Sequence, residues 1–245
     1  MAAPVLIGTG PEVSVTGASP LSITFTGAHM PPGVQAGDRL VAIVHFASEF
    51  NVLAGYPAFP AGWSDDGVVG NGGTGYGTVA IGVFSTRWTT TTAPATFVWD
   101  DNLHLDHTLS GTLYAWRDSY RSSFSDNEAV ERFDPTPPVW SPGSYAAPNS
   151  GFAMAAVAAQ TAGTLTGIST ANGFTAVAPT GRYTAAKAWD GPQTVTPPKW
   201  AVTPYGDGGR VGVAVWVAYA QADPPIDLPG GWRVGAIHMG GNQGW

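Results

Sequence analysis

No cysteine occurs among the 245 residues, which excludes a disulfide framework, a thiolate zinc site and a cysteine nucleophile together. Charge is scarce too. Asp, Glu, Lys and Arg make up 11% of the chain, well under the ~25% of an ordinary globular domain. Only 10 residues are Lys or Arg against 17 acidic ones, for a formal net charge of −7. So few cations offer no basic stripe for phosphates, so nucleic acid is not an expected partner, and anionic membrane surfaces are disfavoured for the same reason. No apolar run approaches the ~20 residues of a membrane-spanning helix. The start, Met1 to Ile7, lacks the cationic segment and longer apolar run of a signal peptide, so synthesis and folding in a cytoplasm are expected.

What the chain does have is apolar and conformational material: 44% hydrophobic residues, 10 Trp, 8 Tyr, 10 Phe, 33 Gly and 21 Pro. That apolar content can offset chain entropy, so a packed core is expected in place of disorder. The apolar segments are short, alternating, rich in β-branched and aromatic residues, and bounded by Gly or Pro. Strands are expected at 40–46, 78–84, 96–99, 112–116, 153–159, 184–189, 199–202 and 211–219, with earlier ones at 12–16 and 21–26. One helical turn or two is expected from Ser125, where Ser125-Asp126-Asn127-Glu128 has capping-box spacing. The fold class is therefore all-β, an antiparallel, jelly-roll-like β-sandwich of roughly ten strands.

The two halves repeat weakly. Residues 37–49 resemble 150–162, residues 60–67 resemble 170–179, and residues 110–120 resemble 210–220, in the same order. Residues 1–222 are expected to form one sandwich, or two halves, 1–118 and 151–222, joined by a proline-rich linker at 119–150. Residues 223–245 read as an extended Gly/Pro/Trp-rich arm, in which Pro224, Pro225 and Pro229 break any strand. Trp232, Ile237, Met239 and Trp245 are its candidate interface anchors, since large apolar side chains dominate contact energies at buried interfaces.

Catalytic signals are thin. Asp100, Asp101, His104, Asp106 and His107 sit close enough in sequence to suggest divalent-metal ligands, of which Asp100, His104, Asp106 and His107 are the candidates. A polar loop between strands would concentrate the same residues. Gly70 to Gly75 satisfies GxGxxG but leads into a strand, whereas dinucleotide binding needs a helix there, so a hairpin loop is expected. Asp65 and Asp66, beside Trp63, suggest a carbohydrate site with paired carboxylates, but adjacent residues of a strand point to opposite faces and make a poor acid/base pair, so they are expected as solvated turn residues. No catalytic residue, cofactor or resident metal is assigned, and the chain is not expected to be an enzyme.

Several segments together resemble a known family. Gly37-Asp38-Arg39-Leu40-Val41-Ala42, Pro60-Ala61-Gly62-Trp63, the strand and threonine-rich loop from Val79 to Thr92, and Leu113-Tyr114-Ala115-Trp116-Arg117 are similar to elements of the β-sandwich minor tail and head-decoration proteins of actinobacterial phages. The resemblance spans roughly residues 37–220. It implies a non-enzymatic structural protein of a bacteriophage virion, assembled by contacts with other virion proteins and copies of itself, as a minor tail protein at the tail tip. A capsid decoration protein of the same fold is the first alternative. A carbohydrate-binding adsorption module that meets a host surface glycan is the second, and it would need Trp63 and Trp140 on one exposed face.

Overall fold

A computed structural model describes residues 3–48, 57–71, 78–89, 95–100, 106–118, 122–130, 144–160, 171–177, 183–198 and 211–220. Among them the regular structure is strand, apart from two single-turn 3-10 segments at Gly27–His29 and Ala171–Gly173. The fold is an all-β sandwich of antiparallel sheets. The strand expected at 199–202 and the arm at 223–245, with Trp232, Ile237, Met239 and Trp245, lie outside the described residues.

The first sheet contains β1 (Val5–Thr9), β2 (Val13–Ala18), β4 (Arg39–Ser48), β5 (Ser64–Asn71), β6 (Thr78–Arg87) and β8 (Asp106–Arg117). Its order is β1-β8-β4-β6-β5, with β2 also pairing with β8. The central strands are long apolar runs because both of their faces are covered. On one face, Leu40, Ala42, Val44, Phe46, Phe84, Leu109 and Leu113 pack against a ribbon of β3 (Leu21–Phe25) and β7 (Ala95–Trp99). Ribbon residues alternate, with Leu21, Ile23, Phe25, Phe97 and Trp99 buried and Ser22 and Thr96 exposed, as the period of two requires.

The second sheet has the order β12-β13-β11-β15-β9, from β9 (Ser122–Val130), β11 (Gly151–Gln160), β12 (Thr175–Ala176), β13 (Tyr183–Trp189) and β15 (Val211–Ala220). Its own ribbon pairs β10 (Tyr145–Ala147) with β14 (Gln193–Val195). Ala153, Ala155, Val157, Trp216 and Ala218 face that ribbon. The opposite faces of the two sheets meet in a third core, where Val41, Ile43, Ile81, Val83 and Trp116 of the first pack on Phe152, Met154, Val215, Val217 and Tyr219 of the second. The layers thus run ribbon, sheet, sheet, ribbon.

Strand for strand, β2-β8-β4-β6-β5 with ribbon β3/β7 matches β9-β15-β11-β13-β12 with ribbon β10/β14. The match extends to residues. Leu40, Ala42 and Val44 correspond to Ala153, Ala155 and Val157, all facing their ribbons, which is the alignment of 37–49 with 150–162. For the last strand, Leu113 corresponds to Trp216 and Trp116 to Tyr219, because Trp116 pairs with Arg39 as Tyr219 pairs with Phe152. Gly62 and Gly173 turn at φ of 85° and 78°, a left-handed backbone that favours glycine, and deliver the buried Trp63 and Phe174 to equivalent places.

Three expectations are corrected. The helix expected from Ser125 is strand β9, paired residue for residue with β15 from Ser122 to Val130; a capping-box pattern is local, and sheet pairing overrides it. The stretch 119–150, expected as a linker, supplies β9 and β10 to the second half. Asp65 and Asp66 belong to a strand instead of a turn.

Candidate functional site

Among the described residues the metal candidates form no cluster. Asp100, directly after β7, accepts a hydrogen bond from the Ser19 hydroxyl at 3.0 Å, while His107 is 2% exposed and lies against the Phe46 ring at 5.1 Å between centroids. Asp106 opens β8 and pairs with Ala18, and His104 lies outside the described residues. Among the described residues no three His, Asp or Glu side chains gather as a metal site would require. The sequence concentrates these residues because the segment leads into a sheet strand, where His107 becomes part of the core.

Trp63 is not a stacking platform. It is 8% exposed and meets Phe97 edge-on at 5.3 Å, because the Gly62 turn points it under the ribbon. Trp140 lies outside the described residues.

A cleft does form where β4, β5 and β6 end near β15. It has a volume of about 580 Å³ and is lined by Arg39, Ser64, Asp65, Asp66, Ser85 and Arg87, with Gly62 and Thr86 completing the wall. Its geometry starts with an irregularity in β5. Asp65 pairs with Phe84 and Gly67 with Val83, leaving Asp66 as an extra residue, a β-bulge that re-aims side chains. Alternation would send adjacent carboxylates to opposite faces. The bulge lets both line one cleft.

The lining is held from behind. Asp66, 8% exposed, accepts a 2.6 Å hydrogen bond from the Tyr219 hydroxyl, joining β5 to the other half. Arg39 donates from Nη1 to the Ser85 hydroxyl at 2.9 Å and lays its guanidinium over the Tyr219 ring, 5.2 Å from the centroid. Asp65 accepts the Gly67 backbone N–H at 2.9 Å, and the Thr86 hydroxyl donates to the Gly62 carbonyl at 2.8 Å.

Electrostatics follow from this arrangement. Complete burial raises the Tyr219 pKa well above 10, assisted by the charge of Asp66 and by donation to it, and opposed by Arg39 and Ser85. Desolvation in the cleft raises the Asp65 pKa, the Gly67 N–H works against it, and the neighbouring Asp66 charge adds to the rise. Ionised, the two carboxylates only accept hydrogen bonds and the two guanidiniums only donate them.

Sequence reasoning weighed Asp65 and Asp66 as a pair and set them aside, and it did not bring Arg39 and Arg87 to them. The available signal was the scarcity of charge itself: in a chain with 11% charged residues, Arg39 and Arg87 bound otherwise apolar strands, and Asp65-Asp66 interrupts another.

A second polar cluster is structural. Asp38 accepts Arg117 Nε at 3.0 Å and Nη2 at 2.9 Å as well as the Gln35 N–H at 2.8 Å. Burial tends to raise the Asp38 pKa, but the bond to Arg117, the Gln35 N–H and the Arg117 charge together bring it below its ordinary value. The fork-on-carboxylate geometry closes the end of the first sheet. Compared with family models, curated proteins and solved structures, the chain matches none.

Proposed function

We propose that the chain is a non-enzymatic structural protein of a bacteriophage virion, a minor tail protein at the tail tip, acting through contacts with other virion proteins and copies of itself. The supporting observation is how its family-like segments are used. Gly37-Asp38 and Arg117 stand near opposite ends of the pattern in the first half, and they meet in the bidentate clip. Gly62 of the Pro60-Ala61-Gly62-Trp63 segment supplies the turn that buries Trp63. Such segments build a framework, as expected for a protein whose work is to be assembled.

The test is immunogold labelling of purified particles of the virus that encodes the chain, with mass spectrometry of the same preparation. Label confined to the tail tip is expected. Label on the icosahedral shell would make it a decoration protein, and its absence from particles would overturn the virion reading.

A further inference from the structure

The pairing of the two halves provides an internal control for the cleft. Arg39 corresponds to Phe152, because each faces the equivalent aromatic residue across its sheet, Trp116 for Arg39 and Tyr219 for Phe152. Ser64 and Asp65 correspond to Thr175 and Ala176, since Ser64 pairs with Ser85 as Thr175 pairs with Ala186. Ser85 and Arg87 then fall on Ala186 and Ala188. Val177, whose N–H reaches the Thr184 carbonyl at 2.9 Å, takes the place of Gly67, so Asp66 has no counterpart. The same fold therefore closes in the second half without these charges and without the bulge. Asp66 and Arg39 also serve Tyr219 at the junction of the halves, whereas Asp65 and Arg87 are charges that the second half builds the same fold without.

The lining selects its ligand by balance. Two arginines face two aspartates, so neither an anion nor a cation finds a net opposite charge. Apolar ligands would strip water from all four. What matches is a ligand whose groups each donate and accept at once, placed between guanidinium forks that only donate and carboxylates that accept. Adjacent hydroxyls on a sugar ring do this. The volume of about 580 Å³ is in the range of small-molecule sites, ≈ 300–1,000 Å³, and the lining is held in advance by Tyr219, Gly67 and Gly62, which reduces the ordering cost of binding.

We propose that this cleft is a binding site for a neutral saccharide of one or two rings, held by Asp65 and Arg87 at the rim and by Arg39 and Asp66 deeper in. The inference goes beyond the assembly role and does not depend on it. With no aromatic ring among the described residues that line the cleft, affinity rests on hydrogen bonds, and a Kd of about 1–10 mM is expected.

The experiment uses the full chain, isotope-labelled, titrated to about 50 mM, at least about five times that Kd, with the methyl glycosides of glucose, galactose, mannose, rhamnose, arabinose and N-acetylglucosamine, and separately with inorganic phosphate. At least one glycoside should shift the backbone signals of residues 62–66 and 85–87 saturably. Asp65→Ala and Arg87→Ala, both at exposed positions, should weaken that binding at least about ten-fold, about the worth of one hydrogen bond to a charged group, and leave signals of the second half in place. If either variant perturbs the fold, Ser64→Ala serves in its stead with the same expectation. The proposal is overturned if no glycoside moves these signals, if phosphate alone moves them, or if the variants bind as well as the parent.

Discussion

Phe152 is the residue on which the union of the two halves most depends. Its ring lies between Trp116 of the first sheet, 4.0 Å away at 14°, and Tyr219 of its own sheet, 4.6 Å away at 18°, and none of it reaches solvent. Phe152→Ala removes the transfer free energy of a buried phenyl group and leaves a cavity between sheets whose backbones cannot easily close on it, together about 3–5 kcal/mol. Both stacked contacts, each ~0.5–1.5 kcal/mol beyond burial, place the expected loss near the top of that range. For a chain of this size a loss of about 5 kcal/mol lowers the melting temperature by about 10–20 °C. Urea unfolding, followed by hydrogen exchange at amides of β4 and β8 and separately of β11 and β15, is the assay. Because the ring serves a core built by both sheets, both sets should lose protection together. A loss under about 1 kcal/mol, far below the core-substitution range, or destabilisation confined to β11 and β15, would refute the shared core and show two independently stable sandwiches.

Gly111→Ala should cost about 1–3 kcal/mol by overpacking, since its new Cβ would stand 2.8 Å from Ile23 Cδ1 and 2.9 Å from Phe25 Cζ; denaturant unfolding checks it, and an unchanged midpoint would mean that the ribbon floats free of the sheet. Ser110→Ala should instead stabilise by about 1 kcal/mol, because the Ser110 hydroxyl is buried with no hydrogen-bond partner among the described residues; a loss of that size would reveal a partner. On the alkaline side, burial, opposed by bonds to Thr184 and Thr112, pushes Tyr114 up to about 12, and Tyr219 is also raised. Their folded values exceed the ordinary 10, so this stability is full below pH 10 and declines as pH rises toward 12; a flat unfolding free energy to pH 12 would contradict it. On the acid side, the lowered Asp38 pKa adds stability above pH 3.8 that is lost as pH falls through its folded value, and Asp38→Asn should flatten that part of the curve.

The legible parts of this fold were those in which one signal sufficed. Val41, Ile43, Val79 and Val83 announce strands because they sit in apolar runs covered on both faces, and the likeness of 37–49 to 150–162 follows from one topology used twice. Elements that depend on distant partners were not legible. Nothing local in Ser122 to Val130 says that β15 will pair with it along its whole length, and its acidic, amidic composition favours a cap. In β5 the obstacle was the extra residue: a bulge changes which face a side chain meets, and alternation read without it sends Asp65 and Asp66 apart. The depth of His107 was not legible either, since proximity in sequence to Asp100 and Asp106 says nothing about depth, and the ring lies against Phe46.

The cleft and the shared core belong to one physical arrangement. Trp116, Phe152, Tyr219 and Arg39 form a continuous row, each ring face meeting the next and the guanidinium closing the end over Tyr219. A cation on the face of an aromatic ring is held by the ring quadrupole, more strongly where water is excluded, and Tyr219 is 1% exposed. Arg39 therefore cannot swing away without uncovering that ring, and Asp66 cannot move without leaving the buried Tyr219 hydroxyl proton without its acceptor, a cost of about 1–3 kcal/mol. The polar groups of the cleft are fixed by the packing that joins the halves. Phe152 at the corresponding place in the second half completes the row from inside, so only the first half ends it with charge, at the one end of the row that opens to solvent.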